Sequence, residues 1–111
     1  MTSGSPRSNS VLGHRMRERR ENLGWSQEAV GVAIGLDESS ARARISRYEL
    51  GVHEPAVPTA RLIAEALSVP LIYLYCEDDG VATLLLGIYK LSASQRRAKL
   101  KQFIEMIDAE A

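Results

Sequence analysis

At 111 residues the chain has room for one domain of ordinary size, or a small domain with an appendage, and excludes a multidomain enzyme. Its 45% hydrophobic and 25% charged residues are those of a core-forming chain, and fourteen basic side chains balance fourteen acidic ones, which excludes a protein that coats a polyanion by bulk charge. One cysteine, Cys76, excludes an intramolecular disulfide and a Cys-rich zinc site, and a reducing cytoplasm is expected. The apolar run at Leu84–Leu86 is far short of the roughly 20 residues of a bilayer span. Residues 1–9 are small and polar without an apolar stretch, so a flexible tail is expected there rather than a signal peptide.

Zero net charge conceals a basic, acidic, basic order. Residues 1–52 carry eight Arg against six acids, residues 53–79 one Arg against five, and residues 80–111 five cations against three acids. In chain order, Ser10 to Leu23 has helical periodicity, with Leu12, Met16 and Leu23 on the apolar side, and Gly24 ends it. Ser26 caps a short second helix that ends near Ile34-Gly35. Asp37 or Ser39 caps a third, through Ala41, Ile45 and Tyr48 to Leu50, with Gly51 after it. Pro55 and Pro58 then impose an extended loop. A fourth helix is expected over 59–67 and a fifth over 71–76, and the acidic turn Glu77-Asp78-Asp79-Gly80 separates this body, residues 10–76, from an extension at 77–111. Two amphipathic helices, near 81–90 and 94–108, fill the extension. No pair of strand-like runs is joined by a hairpin signal, so the fold class is all-α.

The second and third helices form the constellation that points to function. A helix-turn-helix unit crosses its two helices so closely that a small residue is needed at the contact, and Gly31 supplies it; the tight turn needs a residue tolerant of positive φ, and Gly35 stands there. With Ser26-Gln27-Glu28, Ile45-Ser46-Arg47-Tyr48-Glu49, Gly51, Glu54-Pro55 and Ala64-Glu65-Ala66-Leu67-Ser68-Val69-Pro70, residues 10–76 resemble the phage-repressor and Cro-type family of bacterial helix-turn-helix regulators, also called the Xre family. The resemblance implies a five-helix, lambda-repressor-like DNA-binding domain, here followed by a two-helix extension. The chain departs from the family in one place: the buried Ile of the recognition helix falls ten residues after the turn Gly instead of six. Without an insertion Arg44 would take a core site, so four added residues, about one helical turn, are placed at 37–40.

With Ile45 inward and 100° per residue, Ala41, Tyr48 and Glu49 lie toward the core, Ser40, Ala43, Arg47 and Leu50 point outward, and Arg44 and Ser46 flank the outer face. Arg47 is placed for guanine O6 and N7, Ala43 for a thymine methyl, and Arg44 for phosphate; Arg42, nearer the inner flank, is a weaker candidate. The rival role for these arginines is the solvated face of a surface helix. The resemblance implies that Gln27 hydrogen-bonds a phosphate, its rival role being a plain first-turn residue, and that Arg20 and Glu49 form an ion pair bracing the first and third helices, the rival being two unrelated surface charges. Trp25 is expected as a core plug between the first two helices. His14 and His53 lack companions at ligand spacing, no catalytic motif is present, and neither a metal, a cofactor nor an enzyme activity is expected. The implied function is a sequence-specific double-stranded-DNA-binding transcriptional regulator, a repressor acting as a homodimer on a near-palindromic operator, with Leu84, Leu85, Leu86, Ile88, Tyr89, Phe103 and Ile107 in the dimer contact. The alternatives are an antitoxin-like module that neutralises a protein partner, and a restriction-modification controller.

Overall fold

The computed structural model describes residues 10–111, so the expected tail at 1–9 lies outside the described residues. Six α-helices and one 3₁₀ turn follow in chain order: α1 Val11–Leu23, α2 Gln27–Ala33, α3 Glu38–Leu50, α4 Val57–Ala66, the 3₁₀ turn Leu71–Tyr75, α5 Asp79–Tyr89 and α6 Ala93–Glu110. No strand occurs among the described residues. The chain divides into two compact units between Glu77 and Asp78.

In the first unit the helices begin and end on local chemistry. The Ser10 hydroxyl accepts from Gly13 N–H and that of Ser26 from Ala29 N–H, each satisfying a donor that the first turn leaves open. Asp37 precedes α3 but makes no side-chain capping bond; its carbonyl takes the Ala41 and Ser40 N–H groups, and Ser39 lies inside the helix. Four helices end with the same pair of reversed hydrogen bonds, such as Trp25 N–H to Arg20 C=O and Gly24 N–H to Glu21 C=O at the end of α1. That closure needs a left-handed residue. Gly supplies it after α1, α2 and α3, whereas Ser68, at φ 57°, supplies it after α4.

Two boundaries differ from expectation. The fourth helix starts at Val57, because Pro58 sits in its first turn, where its fixed φ fits and its missing N–H has no partner to lose. The fifth element is a 3₁₀ turn, since only five residues separate Pro70 from the extended Cys76. The core of this unit is Leu12, Met16, Val30, Ala41, Ile45, Tyr48, Ala60, Ile63, Ala64, Leu67, Val69, Tyr73 and Leu74. Leu23 is exposed, as the last residue of α1, beyond the reach of that core. Trp25 is also exposed, at 36%, and is no core plug: α2 turns away after Ser26, leaving the indole on the surface beside Ala29 and Val32.

The second unit holds α5 and α6. Asp78 caps α5 through Val81 N–H, and a reciprocal capping box between Ser92 and Gln95 opens α6. Arg96 folds back over the intervening turn, its guanidinium 4.1 Å from the Tyr89 ring centre and within hydrogen-bonding distance of the Ile88 and Leu91 carbonyls. Only Ala82 and Ile88 are buried in this unit, and α6 has no buried residue. No described helix is long and apolar enough to cross a membrane.

Candidate nucleic-acid interface

The α2–α3 crossing is set by the absence of a side chain. A Cβ placed on Gly31 would lie 2.5 Å from the Ala41 Cβ and 2.8 Å from its Cα, so the two backbones meet at a distance that only glycine permits. Gly35, at φ 97°, then turns the chain, and Leu36 N–H returns to the Gly31 carbonyl at 3.0 Å. Ala41 and Ile45 are fully buried, with Tyr48 and Glu49 continuing the same side of α3. Arg44 stays in solvent, and the first turn of α3, Glu38 to Ser40, projects ahead of the buried stripe.

A polar clamp closes the far end of α3. The Arg20 guanidinium spans the Glu49 carboxylate, Nε to Oε2 at 2.6 Å and Nη2 to Oε1 at 3.0 Å, while its Nη1 donates to the Trp25 carbonyl at 2.9 Å. Glu49 is 3% exposed, and the hydrogen bond it accepts raises the already high pKa of Arg20, keeping the guanidinium charged. The Gln27 amide also donates to Glu49 Oε1, at 3.1 Å. Its side chain therefore joins α2 to the clamp, with its amide nitrogen already on a carboxylate.

Arginines divide into two populations. On α1, Arg15 donates to the Cys76 carbonyl, Arg17 pairs with Glu21, Arg19 donates to the Leu67 carbonyl and Arg20 holds Glu49. On α3, Arg42, Arg44 and Arg47 are exposed, and none has an ion-pair or hydrogen-bond partner among the described residues. Ser40 and Ala43 are exposed beside them and Ser46 is half-buried. The front edge of α3 carries the opposite charge, with Asp37 and Glu38 exposed. This surface can donate bidentate hydrogen bonds from fixed backbone positions, with an acidic border on one side.

In the second unit, Leu84 and Tyr89 are exposed, Leu85, Leu86 and Phe103 half-buried, and Ile107 is 67% exposed, whereas Ile88 is buried. Sequence reasoning missed Arg15, which is 3% exposed with its guanidinium 5.9 Å from the Tyr73 ring centre. Helical periodicity did not single it out: Arg15 lies about 60° round the helix from Leu12, whereas Arg19 lies only about 20° from it. Among the described residues no cluster of three or more His, Cys, Asp or Glu is placed to hold a metal.

Comparison with known proteins agrees with this geometry. A helix-turn-helix family model matches residues 16–74, more than half of the chain. The chain is similar to uncharacterized HTH-type transcriptional regulators of Sinorhizobium medicae and Rhizobium meliloti, 30% identical to each over 69 residues. The match covers 62% of this chain and 47% of each relative, so the chain spans about half the length of the curated relatives it matches. Among solved structures, it is similar to the transcriptional regulator BswR at 38% identity and a TM-score of 0.81, over 90% of this chain and 99% of that one.

Proposed function

Because the chain belongs to the Xre-like helix-turn-helix family, we propose that it is a sequence-specific double-stranded-DNA-binding transcriptional regulator, a repressor that acts as a homodimer on a near-palindromic operator. The observation that carries this is the trio of unengaged guanidiniums on α3, on a helix fixed by the Gly31 contact at one end and the Glu49 clamp at the other. Arg47, outward and central, reads a guanine edge; Arg44, on the flank, takes phosphate, with Ser40, Arg42 and Ser46 bordering the contact and Ala43 open to a thymine methyl. The acidic front edge repels phosphate and so favours one seating of the helix over its shifted neighbours. The Gln27 side chain keeps one amide proton beyond its bond to Glu49, and it offers that proton to a phosphate at the start of α2.

A single domain of this size makes too few base contacts for strong discrimination, and a two-fold dimer doubles them across half-sites about one helical turn apart. The exposed apolar side chains of α5 and α6 supply the contact between copies. The same exposed side chains favour a second reading, in which they seat a different protein and DNA binding serves autoregulation. Selection of duplexes from a random pool tests the proposal. The expected result is a recovered near-palindrome, bound far more tightly than bulk DNA and with a steep loss of affinity as salt rises. No enrichment over bulk DNA at moderate salt overturns it, and a foreign protein that stays bound through high-salt purification shifts the assignment to the second reading.

A further inference from the structure

Charge is sorted along α6. Arg96, Arg97, Lys99 and Lys101 occupy its first half, and Glu105, Asp108 and Glu110 its second. At 100° per residue, Leu100, Ile104 and Ile107 fall within about 60° of one another, with Phe103 at the edge of that stripe. Ile104 and Ile107 are 57% and 67% exposed, so the stripe is open. Arg97, Lys101 and Asp108 line one flank of it, and Lys99 and Glu110 line the other. All five are exposed, and none is in an ion pair among the described residues.

We propose that the open stripe of α6 pairs antiparallel with α6 of a second copy, the segregated charges setting the direction. This rests on the homodimer reading above. A two-fold axis across two antiparallel helices sets each flank against the same flank of its twin, running the opposite way. In the register that packs Leu100 on Ile107 of the second copy and Phe103 on its Ile104, Lys101 comes beside Asp108 of the second copy and Lys99 beside its Glu110, to within the rise of two residues, about 3 Å. Cation meets anion on both flanks, and each contact occurs twice. Parallel pairing does the reverse: Lys99 meets Arg97 and Lys101, and Glu110 meets Asp108. A foreign partner has no reason to need both signs sorted in this way along one helix, whereas self-complementarity requires it.

The test uses the full chain and two charge-converted forms. One carries Asp108→Lys with Glu110→Lys, and the other Lys99→Glu with Lys101→Glu. Sedimentation at low salt should show each form dimerising alone at least about tenfold more weakly than the parent. An equimolar mixture should regain parental affinity and give the mixed dimer by native mass spectrometry. A control with Gln102→Lys and Glu105→Lys places two charge changes on the far side of α6, and should dimerise like the parent; far-ultraviolet circular dichroism checks that every form keeps its helix content. Parental dimerisation by either converted form alone, or equal weakening by the far-side control, overturns the antiparallel pairing while leaving the dimer in place. A parent chain that stays monomeric at tens of micromolar overturns the dimer reading itself.

Discussion

Replacing Gly31 with Ala adds one methyl group where α2 crosses α3. Two carbon atoms rest comfortably about 3.5–4.0 Å apart, and the new Cβ would lie 2.5 Å from the Cβ, 2.8 Å from the Cα and 3.0 Å from the carbonyl oxygen of Ala41. Two of those three atoms are backbone, so no rotamer change relieves the overlap and α2 and α3 have to separate by about 1 Å. Overpacking of this kind costs about 1–3 kcal/mol. With two of the three contacts to backbone the cost lies at the upper end of that range, and alanine returns up to about 1 kcal/mol of helix propensity over glycine, which leaves a net loss of about 1–2 kcal/mol. Urea denaturation reads this directly as a lower midpoint with an unchanged slope. Adding Ala41→Gly removes the Cβ but leaves the Cα and carbonyl oxygen at 2.8 and 3.0 Å, so the double variant should recover only part of the loss, while still losing less than the sum of the two single changes, as expected for residues in contact. A Gly31→Ala chain as stable as the parent, or more stable by its propensity gain, would refute the close crossing.

Arg47→Ala should weaken operator binding by about 1–3 kcal/mol and relax preference at one base position, while Arg44→Ala should weaken binding to all duplexes and reduce the salt slope by about one; equal, sequence-independent losses in both would reassign Arg47. Glu49→Ala leaves Arg20 and Gln27 facing a vacated buried site and should lower stability by about 3 kcal/mol or more, with the Arg20→Ala, Glu49→Ala pair losing less than the sum in a denaturation cycle. Burial raises the Tyr73 phenol above its ordinary pKa of 10.0, and its hydroxyl has no hydrogen-bond partner among the described residues. The unfolded chain then sheds that proton first, so the stability linked to Tyr73 is complete below about pH 10 and is lost as pH rises further. Tyr73→Phe should match or exceed the parent by up to about 1 kcal/mol near neutrality, and gain on it as pH rises above about 10. Ser68→Gly, which relieves a left-handed residue, should raise the thermal midpoint by the equivalent of about 0.5–1 kcal/mol.

Much of the helical framework was legible because its punctuation is local. Gly24, Gly35 and Gly51 end helices through hydrogen bonds to carbonyls three to five residues back, and the hydroxyls of Ser10 and Ser26 reach only three residues ahead. The register of α3 was legible from Ile45, since the register without an insertion would bury Arg44. What escaped depends on distant parts of the chain. Trp25 is apolar enough for a core, yet its fate hinges on the direction α2 takes after the turn. Arg15 looks locally like Arg17 or Arg19, and its burial follows from a carbonyl 61 residues away. The clamp partner of Gln27 lies 22 residues on, so the resemblance alone assigned that side chain a phosphate.

The length of α3 ahead of Ala41 can change only in whole turns. Each residue inserted or removed between Asp37 and Ala41 rotates everything before it by about 100° relative to the buried stripe, whereas four residues rotate it by about 40° beyond a full turn. A change of one or two residues within that stretch would therefore turn the Asp37–Glu38 edge onto another side of the helix, while Gly31 kept its grip on Ala41. A change of four leaves the edge almost where it was and moves it about 6 Å along the axis. The front of this helix is thus a ruler with coarse graduations: its reach lengthens by steps of one turn while the arginines behind it hold their places.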